Sequence, residues 1–223
     1  SYFCGFIHSI LYNIMLDKKL QSYLEEVSTP ESDVLYHLNR ETRLKVCLPQ
    51  MITGKYAGRF LTMITQMIQP KRVLEIGTFT GYTAICFGSA LPEDGVLHTI
   101  EINEEQEDRI RKFLTLAKIE DKVKLHIGDA REIIPTIDEQ FDLIFIDATK
   151  LQYDEYYELV FAKVRKGGYI LSDNVLWYGK VLNEKKDKTT AAIDVYNQRI
   201  NADDRVENIL VPIGDGIMIA RKI

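Results

Sequence analysis

The chain has 223 residues, a length that fits one α/β domain with a full hydrophobic core. Its composition, 46% hydrophobic and 27% charged, is globular and excludes a disordered or fibrous protein. The formal net charge of -5 provides no overall basic surface for nucleic acid, although a local basic patch stays open. The three cysteines are widely spaced and form no CxxC motif or disulfide framework, which predicts a cytoplasmic protein.

The N-terminal segment is the most apolar part of the chain. Residues 2–16 are shorter than the about 20 residues that a membrane span needs. They also lack the basic start and the small-residue cleavage site of a signal peptide. We expect them to form a helix or arm packed on the body or on a second subunit. Helices are predicted at 18–27 and 32–46, so we assign residues 1–48 to an N-terminal helical segment and 49–223 to the main domain.

The segment at 72–83 predicts a strand, a tight glycine turn and the start of a helix. Gly77 and Gly81 allow positive φ angles or close approach of a ligand to the backbone. Phe79 stands where dinucleotide-binding turns carry a glycine that contacts a pyrophosphate, which argues against NAD or FAD. S-adenosylmethionine is the candidate cofactor, with Glu75 available to its ammonium group or to the turn. The alternative is an ordinary strand-to-helix turn.

Strands and helices alternate through the rest of the domain, which predicts an α/β fold with a parallel sheet. A Gly-Asp-Gly hairpin signal at 214–216 adds one antiparallel strand. Lys166-Gly167-Gly168 is interpreted as the C-cap of the helix before it. The predicted helices are 55–68, 82–90, 103–118, 131–138 (or a turn), 153–165 and 189–201, and the later strands are 96–101, 122–127, 141–147, 168–173, 206–211 and 216–221.

Polar residues end several of these strands, and ligands of open α/β sheets bind beyond the carboxyl ends of the strands. Glu101 ends the second strand, where a carboxylate can accept both ribose hydroxyls. An adenine could be met near 128–130, by the backbone or by Asp129. The residues expected to converge on this rim are Glu75, Gly77, Glu101, Asp129, Asp147, Asp173 and Asn174.

An oxygen-rich group is predicted at the ends of two strands. Asp147, Asp173 and Asn174 supply two carboxylates and an amide, a set that favours Mg²⁺, Mn²⁺ or Ca²⁺ over zinc. Lys150 follows Asp147 by three residues and could act as a general base beside a cation. The alternatives are helix-capping side chains and a solvated lysine.

With these motifs in place, the chain resembles the class I, metal-dependent O-methyltransferases of the caffeoyl-CoA and catechol type. The resemblance covers residues 49–223. The matching segments are Leu-Glu-Ile-Gly-Thr-Phe-Thr-Gly-Tyr-Thr at 74–83, Leu-Pro-Glu-Asp-Gly at 91–95, Ile-Glu-Ile-Asn at 100–103, Phe-Ile-Asp-Ala-Thr-Lys at 145–150, Ser-Asp-Asn-Val-Leu-Trp at 172–177 and Val-Pro-Ile-Gly-Asp-Gly-Ile at 211–217.

The resemblance implies a Rossmann-like sheet of seven mostly parallel strands with helices on both faces, in an enzyme that is a homodimer. It implies Lys150 as base beside Asp147, a metal held by Asp147, Asp173 and Asn174, and a substrate that meets Lys150, Trp177 and Tyr178. Together with the glycine turn it predicts cofactor contacts at Thr53, Glu75, Gly77, Thr78, Gly81, Thr83, Glu101, Asp129, Ala130 and Asp147.

The resemblance also bears on the acceptor. The plant enzymes carry Asn where this chain has Tyr178, and their N-terminal lysine that meets acyl-CoA has no match in residues 1–30. The expected substrate is therefore a small molecule with vicinal hydroxyls, such as a catechol. The segments 146–153 and 193–198 are similar to a bacterial branch that includes methyltransferases of tRNA 5-hydroxyuridine. Two alternatives stay open, namely tRNA met by the lysines at 180–188 and a cofactor-binding module without catalysis.

Overall fold

In the computed structural model, which describes residues 18–223, a seven-stranded sheet forms the centre of the protein. The strand order is β3-β2-β1-β4-β5-β7-β6. All neighbours pair in parallel except β7, which is antiparallel to β5 and β6, so the predicted sheet is confirmed. The predicted arm at 2–16 lies outside the described residues. The strands are β1 Arg72–Ile76, β2 Val96–Glu101, β3 Val123–Ile127, β4 Phe141–Ile146, β5 Val164–Ser172, β6 Val206–Val211 and β7 Ile217–Lys222.

Helices cover both faces of the sheet, as predicted. Alternate residues of β1 and β4 point to opposite faces, so Leu74 and Ile144 join one hydrophobic cluster while Val73 and Leu143 join the other. The α-helices are α1 Lys18–Glu26, α2 Asp33–Lys45, α3 Lys55–Ile68, α4 Tyr82–Ala90, α5 Glu107–Leu116, α6 Ala130–Thr136, α7 Tyr153–Phe161 and α8 Lys188–Ala202. The first cluster includes residues of α6, α7 and α8, and the second includes residues of α2 to α5.

The prediction around Lys166-Gly167-Gly168 was wrong. Helix α7 ends at Phe161, and β5 already begins at Val164, so the two glycines lie inside a strand. The pairing of β5 with β4 shifts register between Phe141 and Leu143, and Gly167 has a φ of 79°. Glycines at such an irregularity let a strand bend locally. The sequence pattern resembled a helix C-cap because both features require the same backbone freedom.

Two other boundaries differ from the predictions in smaller ways. The predicted helix 103–118 is a 3₁₀ turn, Glu104–Gln106, followed by α5. Between the predicted strand 168–173 and the predicted helix 189–201 there is a further 3₁₀ turn, Lys180–Leu182. These short turns leave no clear hydrophobic period in the sequence, so they cannot be separated from helix or loop by pattern.

The N-terminal helices pack on the body of the domain. The Ser32 hydroxyl caps α2 by accepting the Leu35 N–H. Leu38 joins the hydrophobic cluster that includes α4, and the Thr42 hydroxyl donates to the Thr80 hydroxyl at 3.1 Å. The division of the chain at residue 48 stays a prediction. Within residues 18–223, no helix has the length and apolar character to cross a membrane.

Candidate functional site

A cavity of about 900 Å³ opens at the carboxyl ends of the central strands. Most of the predicted site residues line it, although they come from distant parts of the chain. Three of them do not, namely Glu75, Gly81 and Asp129. The predicted residues in its wall are Thr53, Gly77, Thr78, Thr83, Glu101, Ala130, Asp147, Lys150, Asp173, Asn174, Trp177 and Tyr178.

The glycine turn after β1 brings two strand ends into backbone contact. Gly77 has a φ of 97°, and a Cβ atom there would lie 2.0 Å from the Asp147 carbonyl oxygen. The Asp147 N–H donates to the Ile76 carbonyl at 2.9 Å. Gly81, with a φ of 95°, caps α4 at its N-terminus. Gly77 is therefore required for close approach, and Gly81 for the direction in which the helix starts.

Glu101 ties the end of β2 to the same turn. Its Oε2 atom accepts the Phe79 N–H at 2.6 Å, and its Oε1 atom accepts the Asn103 N–H at 2.8 Å. The side chain is buried, and burial raises the pKa of its carboxyl group. An ionised carboxylate has about four acceptor positions, so Glu101 keeps acceptor capacity for a hydroxyl group of a ligand.

Glu75 lies beneath the cavity rather than in its wall. It is fully buried, and its Oε2 atom accepts the Thr99 hydroxyl at 2.5 Å. The Thr99 and Thr78 hydroxyls are 2.5 Å apart, so a short chain of hydroxyls joins Glu75 to the cavity surface. The Oε1 atom has no hydrogen-bond partner among the described residues. Burial raises the pKa of Glu75 to about 7.

The Asp129 side chain caps the start of α6 and does not line the cavity. Its Oδ1 atom accepts the Arg131 N–H at 2.9 Å, and its Oδ2 atom pairs with the Arg131 guanidinium at 2.5 Å. The hydrogen bond from Arg131 lowers the pKa of this carboxyl group. Its neighbours Gly128 and Ala130 do line the cavity, whereas Asp129 does not.

The three residues of the predicted oxygen group follow the ends of β4 and β5 and line the cavity. Asp173 is 7% exposed, and burial together with the Asp147 carboxylate raises its pKa to about 7. The Asn174 N–H donates to Asp173 Oδ1 at 2.7 Å, and Asn174 has a φ of 59°. Within residues 18–223, no three His, Cys, Asp or Glu side chains form a metal-binding group. The two carboxylates and the amide nevertheless fit a hard divalent cation, which would offset the repulsion between the Asp147 and Asp173 carboxylates.

Lys150 is fixed between two partners. Its Nζ atom donates to Asp147 Oδ1 at 2.7 Å and to the Tyr153 hydroxyl at 2.6 Å. The Tyr153 hydroxyl in turn lies 2.9 Å from the Asp173 carbonyl oxygen and is buried. Tyr153 therefore links Lys150 to the end of β5. Tyr153 was not among the predicted site residues, because a tyrosine at the start of a helix carries no functional pattern by itself.

Comparison with known proteins identifies the family. A protein-family model described as O-methyltransferase matches residues 25–223 of the chain. The chain belongs to this O-methyltransferase family. A caffeoyl-CoA O-methyltransferase of Populus kitakamiensis is 33% identical over 225 residues, which cover 94% of this chain and 96% of the relative.

Solved structures agree with this O-methyltransferase assignment. TomG of Streptomyces achromogenes, an O-methyltransferase involved in tomaymycin synthesis and solved with SAM, superposes with a TM-score of 0.83 at 27% identity and covers 92% of this chain and 96% of its own. An O-methyltransferase of Bacillus cereus solved with SAH gives a TM-score of 0.84 at 28% identity, with coverage of 91% and 96%. The predicted fold and family resemblance are therefore confirmed.

The loop after β5 forms one wall of the O-methyltransferase cavity. Trp177 and Tyr178 have φ angles of 48° and 56°, which bulky residues rarely adopt. Tyr178 is 62% exposed, and its ring lies beside that of Trp177. Such strain persists only where the surrounding structure imposes it. Here the Tyr178 N–H donates to the Asp215 carboxylate, in a turn that the sequence predicted only as a hairpin.

Proposed function

We propose that this O-methyltransferase transfers the methyl group of S-adenosylmethionine to one of two adjacent hydroxyl groups on a small aromatic molecule. The observation that carries the proposal is that the glycine turn, Lys150, Asp147 and Asp173 share one cavity. The names of the relatives add support, since they include a caffeoyl-CoA O-methyltransferase and structures solved with SAM or SAH.

The cofactor end of the cavity is assigned to the turn and to the ends of β1, β2 and β3. Gly77 leaves the backbone uncovered, and Glu101 keeps acceptor positions for the ribose hydroxyls. Glu75 acts on the turn through Thr99 and Thr78. S-Adenosylmethionine supplies an electrophilic methyl group when it is bound. Further contacts are proposed for Thr53, Thr83, Ala130 and Asp147.

The acceptor end is assigned to Lys150 and the oxygen group. Asp147, Asp173 and Asn174 would hold a divalent cation, Mg²⁺ or else Mn²⁺ or Ca²⁺, which stabilises negative charge on the acceptor oxygen when bound. Lys150 is assigned to accept the proton of the acceptor hydroxyl, from a position that Asp147 and Tyr153 fix. Trp177 and Tyr178 lie where they can flank an aromatic ring.

Methyl transfer with and without a chelator tests the metal role. We expect EDTA and Asp173→Ala each to abolish transfer of a radiolabelled methyl group to a catechol, because the acceptor oxygen then loses its charge stabilisation. S-Adenosylmethionine should still bind in titration calorimetry, since the turn is unchanged. Full activity in EDTA would contradict the metal role.

Lys150→Ala should lower kcat for methyl transfer with little change in cofactor affinity. An unchanged kcat would contradict the assignment of Lys150 as the base.

One observation favours tRNA 5-hydroxyuridine as a second candidate acceptor. Lys180, Lys185 and Lys188 are exposed on the segment that follows the acceptor wall, where they can meet phosphates. Bulk tRNA lacking this modification, assayed beside a catechol panel, separates the two acceptors. Lys186 is a less suitable phosphate contact because it pairs with Asp194. Cofactor binding without transfer to either acceptor would instead indicate a non-catalytic module.

The quaternary structure and location form the last part of the proposal. We infer a cytoplasmic homodimer in which residues 1–48 shape the acceptor end of the cavity. Gln21, in α1, lines the cavity, which supports a contribution from this segment. Light scattering on the eluted peak of a gel filtration column tests the oligomeric state. A monomer at micromolar concentration would contradict it.

A further inference from the structure

Asp215 holds the acceptor wall in place. The Leu176 N–H donates to the Asp215 carbonyl at 2.9 Å, and the Val175 N–H donates to the Gly216 carbonyl at 3.1 Å. The Tyr178 N–H donates to Asp215 Oδ1 at 2.6 Å. One carboxylate oxygen of Asp215 is therefore occupied by a hydrogen bond from the wall.

The other carboxylate oxygen of Asp215, Oδ2, accepts no hydrogen bond from the wall. Asp215 Oδ2 is buried and has no hydrogen-bond partner among residues 18–223. A buried acceptor without a donor is destabilising, and native proteins rarely leave one without a reason. Asp215 lines the same cavity as Lys150 and Asn174, so this carboxylate stands at the edge of the acceptor end.

Burial and nearby charges act in opposite directions on the pKa of the Asp215 carboxyl group. Burial raises the pKa of Asp215, against the hydrogen bond from the Tyr178 N–H and the charges of Lys150 and Lys180. Neither lysine hydrogen-bonds to it, since Lys150 is occupied by Asp147 and Tyr153, and Lys180 lies over the ring of Tyr178. Asp215 thus adds a third carboxylate to an end of the cavity that already holds Asp147 and Asp173.

We propose that Asp215 Oδ2 accepts a hydrogen bond from the methyl acceptor and determines its class. Acceptors whose ring substituent carries a hydroxyl, amine or ammonium donor are selected over acceptors whose substituent is a carboxylate. The inference rests on the proposed function and specifies its substrate. Its physical basis is that a donor satisfies the buried oxygen, whereas an anion adds repulsion and leaves the oxygen without a partner.

Three catechols that differ only in their substituent provide the first test. We would measure kcat/KM of the wild-type protein with S-adenosylmethionine and Mg²⁺ for dopamine, 3,4-dihydroxybenzyl alcohol and 3,4-dihydroxybenzoate. A hydrogen bond to a charged group changes such a ratio by about tenfold or more. We therefore expect dopamine and the alcohol to exceed the benzoate by at least about tenfold.

The variant Asp215→Asn provides the second test. It keeps one oxygen for the Tyr178 N–H and replaces Oδ2 with an NH₂ donor of similar size. The preference for dopamine over the benzoate should fall by about tenfold or invert, while the Kd for S-adenosylmethionine is unchanged. Glu207→Gln is the matched control, because Glu207 lies exposed on β6 and pairs with Arg221 at 3.3 Å. That variant should retain the wild-type preference.

The outcomes separate this inference from the proposed function. A wild-type protein that methylates all three catechols equally, or an Asp215→Asn variant with the wild-type preference, overturns the role of Asp215 alone. A variant that needs much more Mg²⁺ for half-maximal activity assigns Asp215 to the metal and also overturns it. If the wild-type protein methylates no catechol, the proposed function itself fails. If the variant does not fold, the wild-type ranking of the three acceptors decides.

Discussion

Tyr153 shows how a single residue can set the position of another. Its hydroxyl accepts a hydrogen bond from Lys150 Nζ at 2.6 Å and lies 2.9 Å from the Asp173 carbonyl oxygen. The ring packs edge-on against Tyr196, with 5.4 Å between centroids, so the hydroxyl cannot easily move. Lys150 therefore keeps one orientation toward the cavity.

Tyr153→Phe should lower kcat for methyl transfer by about tenfold, because Lys150 loses one of its two partners while the ring packing remains. The KM and the Kd for S-adenosylmethionine should change little, since the glycine turn is not affected. Steady-state kinetics and calorimetry provide these values. Tyr157→Phe is the control, because Tyr157 hydrogen-bonds to Asp203 outside the cavity wall. An equal loss in both variants would indicate general destabilisation instead.

Glu75 makes stability depend on pH. Burial raises its pKa to about 7, above the ordinary value of 4.5 that it regains on unfolding. Between these values the native protein binds more protons than the unfolded chain, so the free energy of unfolding falls as the pH rises, by at most about 1.4 kcal/mol per pH unit from this group. Glu75→Gln should flatten this slope.

Urea unfolding of the ligand-free protein at pH 5, 6 and 7 measures the effect. The control is Glu104→Gln, which removes an exposed carboxylate and should keep the wild-type slope. If Glu75→Gln shows the same decline from pH 5 to pH 7 as the wild type, then Glu75 is ionised throughout, and the assignment of the pH dependence to its burial is wrong.

Among the structural elements, the turn after β1 tolerates the least change. At Gly77 any side chain combines a φ of 97° with a clash against the Asp147 carbonyl. Gly77→Ala should therefore lower the free energy of unfolding by at least about 2 kcal/mol and weaken cofactor binding. Gly54→Ala is the control, since a Cβ there has no atom within 4 Å. Urea denaturation of both variants gives the comparison, and equal midpoints would contradict the argument.

Elements with a strong sequence pattern were predicted well, and the irregular ones were not. The buried strand Phe141–Ile146 and the turn at Gly77 carry apolar runs and glycine spacing that few other structures explain. The glycines at 167–168 were misassigned because a strand irregularity and a helix end make the same demand on the backbone. Asp215 and Tyr153 were missed because their roles depend on contacts between distant segments, which one sequence does not reveal.

On the scale of the whole molecule, cofactor binding should be visible as stability. A ligand that binds only the native state at 100 times its Kd raises the free energy of unfolding by about 2.7 kcal/mol. We expect S-adenosylmethionine to raise Tm accordingly in a thermal scan. NADH should leave Tm unchanged, because Phe79 stands at the glycine position that a pyrophosphate needs. A larger shift with NADH would contradict the cofactor assignment.

The three hydrogen bonds between the loop after β5 and the turn at Asp215 have a practical consequence for protein engineering. None of them involves Gly77 or Glu101, so the acceptor wall is attached to the domain independently of the cofactor turn. These hydrogen bonds join two segments, residues 174–179 and 213–216, into one structural unit. Transplanting both segments together between relatives should transfer acceptor preference, whereas a graft of residues 174–179 into a chain that lacks the Asp215 carboxylate would leave the Tyr178 N–H without its partner.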